Sequence, residues 1–242
     1  MQRSTQRPMK TQTKLWAVVP AAGSGNRFSK TELKQYQSIQ DHTVLEHTVN
    51  RLNTLDLAGC VLAIGQDDNV ARTLSFQNQD KLHFCRGGVE RVDSVLNALI
   101  YLSDIADDDD WVLVHDAARP CVTLDCLYQL VQTALDTNQS AILAIPVRDT
   151  LKQVAQQNQI EKTVSRELLW QAQTPQIAQL KTLKNALEHA LADQIIITDE
   201  ASALEYVNEP VQVVLGRSDN IKITYTDDLD LARLILKAQN QS

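Results

Sequence analysis

The chain has 242 residues, 43% of them hydrophobic and 22% charged, which suits one large globular domain with a sizeable core. Its 30 acidic and 23 basic residues leave a formal charge of −7, which argues against a nucleic-acid partner but leaves room for a local Arg/Lys cluster that binds phosphate. No apolar run approaches the ~18–20 residues that cross a bilayer, and Cys60, Cys85, Cys121 and Cys126 lack CxxC spacing, so a cytoplasmic protein with reduced thiols and no membrane partner is expected.

Residues 1–14 are polar and basic, lack the apolar centre of a secretory signal, and read as a disordered extension in which Met9 is a candidate alternative start. Residues 15–242 then read as a single domain. Its first apolar run, 15–20, has the character of a buried strand and empties into a small-residue turn, Ala21-Ala22-Gly23-Ser24-Gly25-Asn26-Arg27, with Lys34 seven residues further on. Glycines let backbone N–H groups face an anion at close range, and Arg27 and Lys34 would neutralise it, so the segment has the chemistry of a polyphosphate grip. The competing reading is a tight turn with solvated cations. A Walker loop is absent, and Phe28 stands where a dinucleotide fingerprint needs its third glycine.

Further strands are expected at 60–64, 82–85, 111–115 and 140–145, each short, apolar and uninterrupted by charge. Amphipathic helices are expected at 44–55, 91–102 and 124–135. Such alternation predicts right-handed βαβ units and an α/β, Rossmann-like domain with a mainly parallel twisted sheet. Two post-strand turns carry candidate chemistry. In Gly87-Gly88-Val89-Glu90-Arg91-Val92-Asp93-Ser94 the paired glycines expose backbone groups to read the edge of a base and Ser94 adds a hydroxyl, although a plain turn fits as well. Asp116 ends the strand 111–115, where a single carboxylate can hold Mg²⁺ together with phosphate and water, or simply cap the next turn. His115 reads as a packed residue, Arg119 as either a loop-fixing ion pair or a substrate contact, and the acidic run 107–110 as a solvated turn.

From 147 to 166 the pattern changes to two short strands joined by a polar Gln/Asn tip, a protruding β-arm with no core of its own, for which a second subunit is the expected partner. Helices at 180–192 and 199–207, strands at 211–215 and 220–224, and a final helix at 226–238 with Thr226 as N-cap complete the expected order. Lys222 falls in the second of those strands and would project from the sheet's binding edge.

The segments VVPAAGSGNRF, LKQY, GGVERVDSV, WVLVHDAARPC, PVRDTLK, TPQ, TDEASALEY and GRSDNIKIT occur in this order across residues 15–238. Together they resemble the 2-C-methyl-D-erythritol 4-phosphate cytidylyltransferases of the non-mevalonate isoprenoid pathway. The resemblance implies a nucleotidyltransferase domain that moves CMP from CTP to the acceptor's phosphate and releases pyrophosphate, with Mg²⁺ as cofactor. It places Arg27 and Lys34 on the triphosphate, with Lys222 joining them in catalysis, and Asp116 on Mg²⁺. Ala21, Ala22, Gly23, Gly25, Gly88 and Ser94 fall on CTP, and Thr150, Arg166, Thr198 and Lys222 on methylerythritol phosphate. It also implies a homodimer, because in this family the arm that carries Thr150 and Arg166 crosses into the partner's site. The chain departs from the family pattern at Leu33, where proline is usual, at Val89, where a polar residue is common, and at Ser165, where an aspartate often stands. Two other functions remain in view: cytidylyl transfer to another polyol phosphate such as ribitol 5-phosphate, and nucleotide binding by a non-catalytic regulator.

Overall fold

Among the described residues, eleven strands and six α-helices follow one another as β1 (Leu15–Pro20), β2 (Ser38–Ile39), β3 (His42–Thr43), α1 (Val44–Leu52), β4 (Gly59–Ile64), β5 (Leu82–Arg86), α2 (Arg91–Ser103), β6 (Trp111–Val114), α3 (Leu124–Thr137), β7 (Ser140–Pro146), β8 (Leu151–Val154), β9 (Ile160–Val164), β10 (Trp170–Gln179), α4 (Leu180–Ala192), α5 (Glu200–Tyr206), β11 (Val211–Leu215) and α6 (Asp227–Gln239). This computed structural model describes residues 13–23, 28 and 33–241. Residues 1–12 of the expected extension lie outside the described residues, as do Gly25 and Arg27.

Alternation along β1 explains the layering. Ala17 and Val19 face one apolar layer with Leu45, Val49 and Leu52 of α1 and Leu127 and Leu130 of α3. Trp16 and Val18 face the opposite layer with Leu99 and Leu102 of α2 and Leu183 and Leu187 of α4. Burial of each such leucine contributes ~1.5–3 kcal/mol, so a strand apolar on both faces is held in the middle of the sheet. A third cluster packs Leu229, Ala232 and Leu236 of α6 against Ala118, Cys121 and Ile223, beside the loop that follows β6.

The seven-stranded sheet runs β11-β7-β10-β6-β1-β4-β5. Pairings β1·β4, β1·β6, β4·β5 and β7·β11 are parallel, and β10 is antiparallel to both its neighbours. The mainly parallel α/β architecture expected from the sequence is therefore present. From β1 the chain first builds outward through β4 and β5, then returns to lay β6 on the other side of β1. That reversal opens a crevice at the carboxyl ends of β1 and β6, where sheets of this kind bind ligands. The β-arm is also present: β8 and β9 form a separate antiparallel ribbon, and its base is tied by the Val147 N–H to the Leu169 carbonyl at 2.9 Å.

Four expectations need correction. The strand β10 was not foreseen; it is rich in Gln and Thr, bears a cis Thr174–Pro175 bond, and shifts register between Ala172 and Gln176. The segment 220–224 forms no strand; its Ile223 N–H donates to the Ala118 carbonyl at 2.9 Å, which fixes it as a loop over the sheet end. Thr226 does not cap α6 with its side chain; Asp228 instead accepts the N–H groups of Thr224 at 2.7 Å and Tyr225 at 2.8 Å. In the acidic run, Asp110 is buried, not solvated, and accepts from the Lys14 N–H at 2.8 Å and Trp16 Nε1 at 3.0 Å. Asp108 does stay exposed, paired with Lys181.

Candidate active site

A cavity of about 580 Å³ lies in the crevice at the carboxyl ends of β1 and β6. Five segments of the chain supply its walls: Pro20–Gly23 at the end of β1, Lys34 and Gln35, the turn Gly88–Arg91 with Ser94, Asp116–Ala118, and Lys222 with Thr224. Ala21, Ala22, Gly23, Lys34, Gly88, Ser94, Asp116 and Lys222 are thus brought together as the sequence predicts.

The loop after β1 is held by a buried amide. Gln35 Nε2 donates to the Ala21 carbonyl at 3.0 Å and to the Gly23 carbonyl at 3.5 Å. Lys34 therefore enters the cavity on a short 3₁₀ turn, Lys34–Tyr36, anchored by its neighbour. Its ammonium donates to the Ile223 carbonyl at 2.9 Å, which ties it to the loop that carries Lys222.

The glycines of the second turn are required by close approach. A Cβ on Gly87 would stand 2.3 Å from the Ala22 Cβ, and one on Gly88 would stand 2.1 Å from the Asp93 Cβ. The two post-strand turns can touch only because Gly87 lacks a side chain, and the missing side chain of Gly88 lets its turn fold back on the first turn of α2. The Gly88 N–H donates to Ser94 Oγ at 3.0 Å, and Ser94 Oγ donates onward to the Glu90 carbonyl at 3.2 Å. That amide and hydroxyl shape the turn, so a base would meet the turn's remaining backbone groups.

Asp116 is the electrostatic centre. Lys222 Nζ lies 2.8 Å from its Oδ2, Arg91 Nε lies 2.8 Å from Oδ1, and Arg119 Nε lies 3.5 Å from Oδ2. Burial alone would raise its pKa, but the charges of Arg91, Lys222 and Arg119 outweigh burial and hold the carboxyl far below the usual carboxylate range. Its backbone is fixed as well: the Asp116 N–H donates to Thr174 Oγ1 at 3.0 Å, and Thr174 Oγ1 lies 3.0 Å from His115 Nδ1. Because His115 Nε2 faces the Arg119 carbonyl at 3.0 Å, the proton belongs on Nε2, and the Thr174 hydroxyl donates to Nδ1. Burial pushes the His115 imidazole down to about 4, so it is neutral at pH 7 and serves as a strut, not a base. Arg119 is likewise a strut: its Nη1 donates to the Asn220 carbonyl at 2.7 Å.

The predicted acceptor residues sit elsewhere. Thr150 and Arg166 are exposed on the β-arm and Thr198 is exposed just before α5, and none of the three lines the cavity. Sequence reasoning missed Arg91, which lines the cavity between Asp116 and Glu200. A signal was available, since a cation in the first turn of a helix opposes the helix dipole and so needs another reason to be there.

Asp116 also decides whether a metal fits. Among the described residues no three His, Cys, Asp or Glu side chains cluster as a metal cage. Mg²⁺ does not need one, because it is commonly held by one or two carboxylates with phosphate oxygens and water completing the shell. An ionised carboxylate at the cavity wall, whose oxygens retain lone pairs beyond those facing the cations, suits that mode.

The profile of the family described as 2-C-methyl-D-erythritol 4-phosphate cytidylyltransferase matches residues 15–238. A protein of that name from Acinetobacter baumannii (strain SDF) is 75% identical over 230 residues, which cover 95% of this chain and 97% of that protein. One from Pseudoalteromonas translucida (strain TAC 125) is 46% identical over 228 residues, covering 93% of this chain and 92% of the relative. Among solved structures, the 2-C-methyl-D-erythritol 4-phosphate cytidylyltransferase of Francisella tularensis superposes with a TM-score of 0.80 at 36% identity, over 92% of this chain and 100% of that one. Matches that span both the glycine turns and the arm show that the chain belongs to the 2-C-methyl-D-erythritol 4-phosphate cytidylyltransferase family and is a nucleotidyltransferase.

Proposed function

We propose that this chain transfers CMP from CTP to 2-C-methyl-D-erythritol 4-phosphate, giving 4-diphosphocytidyl-2-C-methyl-D-erythritol and pyrophosphate, and that the cavity is the CTP end of the site. The observation that carries this reading is the convergence of Ala21–Gly23, Lys34, Gly88, Asp116 and Lys222 on one cavity at the carboxyl ends of parallel strands. The small-residue turn and the two lysines suit a triphosphate, and the glycine turn beyond them leaves room for the base.

In the reaction a phosphate oxygen of the acceptor attacks the α-phosphorus in line, a new P–O bond forms, and the bond to the bridging oxygen breaks as pyrophosphate leaves. A phosphate monoester is already largely ionised at pH 7, so no side chain is required as a base. The task of the protein is to hold two anions together and to neutralise charge on the leaving group. Lys34, tethered to the loop of Lys222 through the Ile223 carbonyl, and Lys222 itself present ammonium groups on the wall for that purpose. Lys222 is poised between Asp116 and the incoming acceptor, and Arg27 would add a third cation from the opening loop. Mg²⁺, held by Asp116, would supply further neutralisation of the triphosphate when bound.

The acceptor half of the site is proposed to be completed by a second copy. Thr150 and Arg166 lie outside the cavity, on a two-stranded ribbon with Val154 and Ile160 exposed at 54% and 64%. Such a ribbon has no core of its own, and a homodimer would cover its apolar face while delivering both residues to the partner's cavity. Residues 15–242 are read as one domain with residues 1–14 as an extension. Cytoplasmic residence is in keeping with Cys60, Cys85, Cys121 and Cys126 as free thiols and with no described helix long and apolar enough to cross a membrane.

The test is pyrophosphate release with CTP and Mg²⁺, in parallel reactions containing methylerythritol phosphate and ribitol 5-phosphate. Turnover with the first acceptor and little with the second is expected. The reverse preference would reassign the acceptor, and CTP binding without release in either reaction would favour a regulator.

A further inference from the structure

In the cavity wall, the Arg91 side chain reaches from its own helix to a second helix and to the carboxylate that follows β6. It is the first residue of α2, and its Nη1 and Nη2 donate to Glu200 Oε1 at 2.6 Å and Oε2 at 3.0 Å. Its Nε donates to Asp116 Oδ1 at 2.8 Å. Glu200 opens α5, is only 2% exposed, and follows Thr198 by two residues. Asp116 in turn holds Lys222 through its other oxygen. One guanidinium therefore joins the loop that carries Thr198 to the carboxylate that carries Lys222.

We infer that Arg91 is a positioning residue for the transfer, which fixes the Asp116 carboxylate so that Oδ2 is the oxygen offered to Lys222 and locks α5 and the Thr198 loop to that same carboxylate. This inference rests on the proposed function of the cavity. Only an arginine can do both tasks, because its planar fork donates in pairs to one carboxylate while Nε remains for another. A lysine would keep the charge but, as a compact point donor, would not hold both acceptors in register. Stability of α2 does not account for the residue, since a cation in the first turn of a helix is opposed by the helix dipole. The buried Glu200 carboxylate makes the arrangement strict: released from Arg91, it would move toward water and take the start of α5 with it.

The experiment compares wild type, Arg91→Lys and Glu200→Gln in steady-state pyrophosphate release with CTP, Mg²⁺ and methylerythritol phosphate, at a temperature below each variant's Tm. In Arg91→Lys, kcat should fall and the acceptor KM should rise by about 10–10²-fold in combined effect, as expected for a misplaced reacting group. The KM for CTP should change far less. Glu200→Gln approaches the same fork from its far end and should shift the acceptor KM in the same direction, and the double variant should be no worse than Arg91→Lys alone. A merely structural role predicts a lowered Tm with kcat and both KM values unmoved, and that result would overturn the inference. If Arg91→Lys does not fold, an unchanged acceptor KM in Glu200→Gln overturns it equally. Absence of wild-type turnover would remove the proposed function and this inference with it, whereas wild-type turnover with unperturbed variants removes the role of Arg91 alone.

Discussion

The cavity and the β-arm solve opposite problems. Asp116 is held several times over: three cations on its carboxylate, Thr174 on its backbone, and His115 behind Thr174. The arm has its own ladder between β8 and β9 and little else, with Thr150 and Arg166 exposed. Under the proposed function, charge neutralisation at the triphosphate would be built into one chain, where reorganisation would be costly, while the groups assigned to the acceptor would be left for assembly to place. Substitutions in the cavity should therefore act within a chain, and substitutions in the arm should act only through the completed site.

The largest effects are expected from the lysines. Lys222→Ala and Lys34→Ala should each lower kcat by about 10²–10³-fold, the usual loss for one preorganised electrostatic contact in a transition state. Steady-state pyrophosphate release measures this, and near-normal turnover would remove either residue from catalysis. Next comes the arm: Arg166→Ala should raise the acceptor KM by about 10–10²-fold, as for loss of a charge-assisted hydrogen bond, with Tm unchanged because the residue is exposed. An equal rise in the KM for CTP would break the division between cavity and arm.

Smaller effects should separate the two regions by stability. Thr174→Val strands the Asp116 N–H and His115 Nδ1 in a buried place and should cost about 1–3 kcal/mol in urea unfolding. Ile160→Ser on the exposed face of the arm should change the stability of an isolated chain by no more than about 0.5 kcal/mol while weakening self-association in sedimentation. A large loss of chain stability there would mean that the arm packs on its own domain.

Much of this was legible in the sequence because buried parallel strands announce themselves: runs such as Trp111–Val114 carry no charge and end at the residues that line the cavity. The glycine turns were legible for the same reason, as punctuation after such runs. What escaped was polar burial. Strand β10 hides Gln173, Thr174 and Gln176 in the interior, where hydrogen bonds to Arg217, His115 and Asp199 satisfy them, and no hydrophobic period reveals that. Segment 220–224 alternates like a strand, yet it packs over the sheet end as a loop, held by Ala118 and Asn220 contacts. The Arg91 fork joins residues 109 positions apart, a pairing that no local pattern contains.

The most direct test of the account mixes two dead or impaired proteins. Lys222→Ala and Arg166→Ala are purified separately, dissociated and reassociated together, and assayed for pyrophosphate release with CTP, Mg²⁺ and methylerythritol phosphate well below its wild-type KM, where both variants are nearly inactive. If each site joins the cavity of one copy to the arm of its partner, a random mixture of two-fold dimers should recover about a quarter of wild-type activity, because half the dimers are mixed and each carries one intact site. No recovery above the separate variants, from a mixture shown to have exchanged subunits, would contradict a site shared between two chains.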